Sequence, residues 1–277
     1  MKNERRRVLG QLGLISGLAL LPGRGLWAAT PLLAPELRQI VARGELRVAM
    51  PSFDSPPFFY QEQGSLKGLD VDIAEGLARV LQVPVRFVRQ AASFNGVVEQ
   101  VARREVDLAA CKMSRTLARA RQVRFSEPYF ISRHALLLNR VVFARQARGR
   151  ELAQVVRQFD GSLGVIRDSA FADLAAQNFP RARLVHYDSW EAVLAALERG
   201  EVVAAYRDEL EMRRLFQRDP SLSLNLRLVA LTDTEDAQAL VLPPDAEQFL
   251  ALVNLYLLQQ RLRFSIDQVL HYGELGS

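Results

Sequence analysis

The chain has 277 residues, of which 49% are hydrophobic, so it can bury a sizeable core and is too apolar to be disordered. Its net charge is +5, but residues 1–29 carry five basic side chains and one acid, which leaves +1 for the remainder. That remainder has no long basic run interleaved with aromatic residues, which argues against a nucleic acid partner. The single cysteine, Cys111, excludes an intramolecular disulfide.

The first 29 residues have the pattern of an export signal. A basic segment with Lys2 and three arginines at 5–7 precedes an apolar run of 14 residues at 8–21, shorter than the roughly 20 that a membrane span needs. The arginines also fit a twin-arginine signal, so the general secretory and twin-arginine routes both stay open. No cysteine near the signal offers a site for a lipid. We therefore expect a soluble periplasmic protein and not a lipoprotein.

From residue 46 onward, short apolar strands alternate with amphipathic helices. The pattern predicts strands at 46–50, 85–88 and 106–110 and helices at 71–81 and 94–104. Ser93 or Asn95 is the candidate cap of the second helix. Alternation of this kind is typical of an α/β sheet covered by helices.

The alternation restarts after residue 150. Strands are predicted at 163–166, 184–187 and 202–206, and helices at 170–179, 190–199, 209–216, 249–258 and 266–272. Asp168 is a candidate N-cap of the helix at 170–179. Two α/β units in one chain predict two lobes with a cleft between them, where the ligands of such sheets usually bind.

Four short motifs follow one another from Gly44 onward: GELRVAMPSFDSPPFFY, GLDVDIAEGLARVL, REVDLAACKMSRTLAR and VRFSEPYF. In this order and spacing they resemble the bacterial extracellular solute-binding proteins of family 3, which capture amino acids and related small polar ligands. The resemblance implies a two-lobe α/β fold of the type II periplasmic binding protein class, hinged by two crossing strands. It also implies that residues 30–130 and 238–277 form lobe 1 and residues 131–237 form lobe 2.

The resemblance assigns the two charged ends of an amino acid ligand to particular residues. Arg119 falls where the family has the arginine that clamps the ligand carboxylate, with the hydroxyl of Ser114 beside it; a planar guanidinium can hold both carboxylate oxygens. Asp208 falls where the family has the aspartate that receives the ammonium. Two structural alternatives stay open. Arg119 is one of several neighbouring arginines, and Asp208 with Glu211 also fits a helix capping box.

Further ligand contacts follow from the same resemblance. Ser169 and Ala170 begin a helix whose free N–H groups would favour a carboxylate, and Phe94 matches a position that stacks on the ligand. Phe58 and Asp54, on either side of a Pro-Pro turn, are further candidates, although such residues are more often structural.

Two positions depart from the family's pattern, which has glycine at both. Lys112 would disfavour a plain ammonium and, with Arg167 and Arg207 nearby in sequence, would favour a second acidic group on the ligand. Asp168 would oppose a carboxylate at the neighbouring helix N-terminus, which weakens the assignment of Ser169 and Ala170.

The leading functional hypothesis is a monomeric periplasmic binding protein that delivers its ligand to an ABC permease in the inner membrane. No cofactor and no metal is expected, because the three histidines have no metal-ligand spacing. One alternative is a periplasmic lyase similar to cyclohexadienyl dehydratases, which would need a general acid in the cleft, with Glu209 and Asp168 as candidates. Another is a ligand sensor without a transport role.

Overall fold

The structure is a computed structural model that describes residues 33–272. The predicted export signal at residues 1–29 lies outside this range. Among the helices of residues 33–272, none has the length and apolar character of a membrane span.

Each strand and helix that the sequence predicts is present within a few residues of its expected bounds, and further elements lie between them. The described strands are β1 (Leu46–Pro51), β2 (Tyr60–Glu62), β3 (Ser65–Lys67), β4 (Val85–Ala91), β5 (Leu108–Ser114), β6 (Arg124–Phe125), β7 (Phe130–Asn139), β8 (Ser162–Ile166), β9 (Arg183–Tyr187), β10 (Ala204–Asp208) and β11 (Leu226–Leu242). The described helices are α1 (Pro35–Arg43), α2 (Leu69–Val80), α3 (Phe94–Ala102), α4 (Leu117–Ala120), α5 (Arg140–Ala147), α6 (Leu152–Arg157), α7 (Ala170–Asn178), α8 (Trp190–Glu198), α9 (Glu209–Arg218), α10 (Glu247–Gln259) and α11 (Ile266–Leu270), and a 3-10 helix covers Pro220–Leu224.

A mixed sheet connects the described part of the chain in the strand order β4-β1-β5-β11-β7-β10-β8-β9, with β6 paired to β11. β4, β1 and β5 form one parallel set, and β10, β8 and β9 form a second. β7 and β11 pair antiparallel with each other between the two sets, and β11 reaches β5 while β7 reaches β10. Each parallel set is the sheet of one lobe, and the two antiparallel strands cross between the lobes. The residue limits of the lobes stay a prediction.

Helices cover both faces of each parallel set with apolar side chains. In lobe 1, α2 buries Ile73 and Leu77, and α3 buries Val97 and Val101. In lobe 2, one face carries a buried cluster from α5, α6 and α7 that includes Phe143, Val155, Phe159, Phe171 and Phe179. The opposite face carries a second cluster from α8 and α9 that includes Val193, Leu197 and Met212. The two cores fix the strand ends from which the polar side chains of the site project.

Side-chain caps fix where the helices beside the cleft begin. Ser93 caps α3 by accepting the N–H of Gly96, as predicted. The expectation that Asp168 caps the next helix is wrong, because Ser169 caps α7 by accepting the N–H of Ala172. Asp168 is exposed, and its backbone has a φ of 52°, outside helical geometry.

The strand that carries Lys112 is longer than the sequence predicts. A strand was expected at 106–110, but β5 extends from Leu108 to Ser114 and is buried along its whole length. Cys111 therefore lies inside this strand and is buried, with no disulfide bond. The extension carries Lys112 and Ser114 to the end of the sheet that faces lobe 2.

Candidate functional site

A cavity lies where the carboxyl ends of strands from both lobes meet, which is the usual ligand site of open α/β sheets. It contains about 450 Å³ of space not filled by protein atoms, part of it open to solvent. The residues that line it are Phe94, Lys112, Ser114, Arg119, Ile166, Ser169, Ala170, Phe171, Tyr206, Arg207, Asp208 and Asp236.

Most of the predicted ligand contacts line this cavity, and two do not. Those that line it are Arg119, Ser114, Asp208, Phe94, Ser169, Ala170 and Lys112. Asp54 is exposed, and its carboxylate pairs with Arg89 at 2.8 Å. Phe58 is fully buried behind the site. Its ring contacts the cavity residue Lys112, whose Nζ lies 5.1 Å from the centre of the Phe58 ring.

Arg119 is a buried cation whose ionic partner is missing from the described chain. Only 4% of the residue is exposed, and no carboxylate among residues 33–272 comes within 4 Å of its guanidinium. Its Nε and Nη2 donate to Oδ1 of Asn95 at 3.1 and 2.9 Å, and its Nη1 donates to the carbonyl of Ser114 at 3.1 Å. These bonds use three of the five N–H groups and fix the plane of the fork. Two N–H groups are left for a ligand.

Lys112 is held by acidic residues of the other lobe. Its Nζ lies 2.8 Å from Oε1 of Glu211 and 3.7 Å from Oδ2 of Asp208, and only 5% of its side chain is exposed. Arg207 lies 3.8 Å from the same Glu211 carboxylate and stacks 4.9 Å from the ring centre of Trp190. Burial opposes the charge of Glu211, but Lys112 and Arg207 lower its pKa to about 2. Lys112 occupies a position where the family pattern has glycine. It is therefore part of an ion network between the lobes.

Asp208 has a structural role as well as a place in the cavity. Its Oδ1 accepts the N–H of Glu211 at 3.0 Å and caps α9, which is one half of the predicted capping box. The other half is absent from the described contacts, since the carboxylate of Glu211 faces Lys112. The Oδ2 of Asp208 lies 3.6 Å from Nε of Arg207. Two cations therefore compensate this carboxylate.

Asp236, on the crossing strand β11, is a cavity residue that the sequence did not predict. It is 3% exposed, and it accepts a hydrogen bond from Nε2 of Gln238 at 3.1 Å. Within the described range, no lysine, arginine or histidine nitrogen comes within 4 Å of its carboxylate. Burial and the nearby charge of Asp208 raise its pKa. No sequence pattern singles it out, because its polar neighbours are typical of an exposed loop.

A second buried carboxylate lies beneath Lys112. Asp70, at the start of α2, accepts the backbone N–H of Lys112 at 2.6 Å through Oδ2. The hydroxyl of Tyr129 lies beside the same carboxyl and opposes the rise of its pKa. Burial raises the pKa of Asp70 to about 7.

The wall from lobe 2 combines a helix N-terminus with an aromatic cluster. The hydroxyl of Ser169 donates to the carbonyl of Ile166 at 2.7 Å while it caps α7. Tyr206 contacts His134 and accepts a hydrogen bond from Asn178 at 2.8 Å. Burial lowers the pKa of His134, so this wall favours a neutral imidazole.

The two acids proposed for lyase chemistry lie away from the cavity. Glu209 is buried on α9 and its Oε1 accepts from Nε of Arg213 at 2.7 Å. Asp168 is exposed at the turn before α7. Neither is among the residues that line the cavity.

Comparison with known proteins identifies relatives over most of the chain. The family described as "Bacterial extracellular solute-binding proteins, family 3" matches residues 46–261. The arginine-binding periplasmic protein of Mannheimia haemolytica is 26% identical over 59% of this chain, and the chain spans 62% of that protein's length. The cyclohexadienyl dehydratase of Pseudomonas aeruginosa is 28% identical over 76% of this chain and 75% of its own.

Solved structures share the fold. An amino acid ABC transporter substrate-binding protein from Streptococcus pneumoniae, bound to L-arginine, superposes with a TM-score of 0.64 at 20% identity. The superposition covers 84% of this chain and 96% of that protein. The fold is thus that of the type II periplasmic amino-acid-binding proteins, with two lobes and a mixed sheet.

Proposed function

Because the chain belongs to family 3 of the bacterial extracellular solute-binding proteins, we propose that it captures an amino acid or a related small carboxylated molecule in the cavity between its lobes. The observation that carries the proposal is Arg119. A buried guanidinium without a counterion is costly unless an anion joins it. Its fixed plane and two available N–H groups suit a carboxylate, which a fork of this shape holds with both oxygens.

The remaining walls of the cavity complete a site for a polar ligand. Asp208 and Asp236 offer carboxylates for a cationic group, and Phe94 offers an aromatic face. Ser169 and Ala170 bring the N-terminus of α7, whose free N–H groups favour an anion. The ligands of two of the compared proteins, named as arginine, support this class.

Delivery of the ligand to an ABC permease in the inner membrane is the transport role that we propose. The protein would act as a monomer in the periplasm, after export directed by residues 1–29. A role as a ligand sensor stays an alternative on the same fold.

Arg119→Ala tests the ligand role directly. The purified protein is assayed by thermal shift against amino acids, dicarboxylates, polyamines and prephenate. A carboxylate present at 100 times its dissociation constant stabilises the wild type by about 2.7 kcal/mol. Loss of the bidentate contact weakens binding about a hundredfold, which lowers that stabilisation to roughly 0.4 kcal/mol.

Arg115→Ala is the matched control, because Arg115 lies in the same motif but is exposed. This variant should retain the full shift. An Arg119→Ala variant that still responds like the wild type would refute the proposal.

A second candidate function is a lyase that acts on a carboxylated ring, which the raised pKa of Asp236 favours. A carboxyl whose pKa is raised lies closer to the range in which a general acid donates its proton. The match to the cyclohexadienyl dehydratase is consistent with it. Conversion of prephenate by the purified protein would establish this alternative, and stable binding without turnover would exclude it for that substrate.

A further inference from the structure

The cavity contains two charges that the described protein does not balance. Arg119 and Asp236 are both more than nine-tenths buried, and neither has an ionic partner within 4 Å among residues 33–272. They do not pair with each other, although they are near enough for Asp236 to support the charge of Arg119. Buried charges of this kind are stable only when partners reach them.

The carboxylate of Asp208 is different, because the protein already supplies its cations. Lys112 and Arg207 lie 3.7 and 3.6 Å from its Oδ2. Lys112 is itself fixed by Glu211 at 2.8 Å. A ligand ammonium that approached Asp208 would therefore meet two positive charges, and the repulsion would oppose its binding.

Among residues 33–272, the hydrogen-bond donors that contact Asp236 are neutral: Gln238 at 3.1 Å and the hydroxyl of Ser114. We infer that Asp236, and not Asp208, receives the cationic group of the ligand while Arg119 holds its carboxylate. This inference rests on the proposed function and narrows its ligand to a zwitterion. Lys112 takes the place beside Asp208 that the resemblance assigns to the ligand ammonium.

Binding of paired ligands to matched variants tests the inference. The probes are the twenty standard L-amino acids and, for the one that binds most tightly, the carboxylic acid that lacks its α-amino group. Calorimetry should show that Asp236→Asn weakens the amino acid ten- to hundredfold, the effect of one charged hydrogen bond. Asp208→Asn should weaken it less, since asparagine keeps the cap of α9.

The acid without the amino group should bind the wild type ten- to hundredfold more weakly and should not distinguish Asp236→Asn from the wild type. Asp188→Asn is the control, because Asp188 is exposed and pairs with the exposed Arg167 on the surface. A larger loss in Asp208→Asn than in Asp236→Asn would overturn the inference, as would equal affinity of the wild type for both probes.

Two outcomes separate this inference from the proposed function. If a carboxylate binds through Arg119 and an amino group on the ligand does not increase its affinity, the inference is overturned and the proposed function stands. Absence of any Arg119-dependent binding would overturn both. If Asp236→Asn does not fold, Asp208→Asn decides: retained binding of the amino acid supports the inference, and its loss overturns it.

Discussion

The backbone of Lys112 depends on a buried carboxylate. Its φ of 45° is in the left-handed region, which costs a residue with a side chain about 1 kcal/mol or more. Asp70 accepts the N–H of Lys112 in this conformation at 2.6 Å. Since burial raises the pKa of Asp70 to about 7, the folded protein keeps a proton on this group at mildly acidic pH.

Asp70→Asn should change the pH dependence of stability. Between the ordinary pKa of 3.8 and about 7, the folded state binds a proton that the unfolded chain has lost, so the contribution of Asp70 to stability falls as pH rises. One pKa unit corresponds to about 1.4 kcal/mol, which gives a decline of up to roughly 4 kcal/mol. Asparagine keeps an acceptor for Lys112 and cannot ionise. Urea unfolding from pH 4 to pH 8 should therefore show that the free energy of unfolding of the variant rises relative to that of the wild type.

The exposed Asp188→Asn provides the reference for this comparison. Its difference from the wild type should stay constant across the same pH range. Parallel curves for Asp70→Asn and the wild type would show that Asp70 is ionised throughout and would contradict the raised pKa.

For individual residues, the sequence predicts which positions belong to the site better than it predicts which side chains they contact. Lys112 and Asp168 depart from a family pattern of glycine, and both have a positive φ, of 45° and 52°, which explains why glycine suits these places. The direction of the Lys112 side chain depends on Glu211, 99 residues further along the chain, and no local pattern contains that partner. Asp236 was missed for the same reason, since only pairing of β11 with β7 and β5 buries it.

Among the elements, the junction of β7 and α5 is fixed by one side chain. Asn139 caps α5 by accepting the N–H of Val142 at 3.1 Å, and its amide donates to the carbonyl of Leu197 at 2.8 Å. The second bond ties the end of a crossing strand to the last turn of α8. Both contacts are shielded, since 8% of Asn139 is exposed.

Asn139→Ala should lower the free energy of unfolding by about 2 kcal/mol, of which the cap contributes about 1 and the bond to Leu197 about 1. Asn139→Ser keeps a capping oxygen and removes the amide donor, so it should lose about half as much. Urea denaturation at pH 7 measures both. Equal losses in the two variants would show that the cap contributes nothing.

The alternating strands and helices were predictable because each has a continuous apolar period. The bounds of the crossing strands β7 and β11 were not predictable in this way, and β11 shows why. The resemblance implies that the chain returns to lobe 1 at residue 238, but β11 begins at Leu226 and runs for 17 residues. Its middle carries a polar stretch at 232–236, and its pairing with β7 shifts register between Ala230 and Glu235. A strand that passes between two lobes has no single buried face, so its periodicity is lost there.

At the scale of the whole molecule, the contact between Lys112 and Glu211 joins the two lobes. Lys112 projects from β5 in lobe 1, and Glu211 lies on α9 in lobe 2. The other cations near Glu211, Arg207 and Arg214, come from lobe 2 itself and cannot hold the lobes together. Among the ion pairs of Glu211, the one with Lys112 is therefore the one that spans the cleft.

Lys112→Met should favour an open arrangement of the ligand-free protein. The substitution removes a charged hydrogen bond across the cleft, which contributes about 1.5–3 kcal/mol. It also leaves Asp208 and Glu211 without a partner from lobe 1, so opening the cleft would hydrate them. Small-angle X-ray scattering at pH 7 should show a larger radius of gyration than that of the wild type.

Lys67→Met is the matched control, because Lys67 also pairs with a glutamate, Glu62, at 2.7 Å, but on an exposed hairpin within lobe 1. Its radius of gyration should equal that of the wild type. If Lys112→Met stays as compact as this control, apolar packing between the lobes holds the cleft closed, and the ion pair contributes nothing to closure. If both variants expand, the effect belongs to lost charge in general and not to the bridge across the cleft.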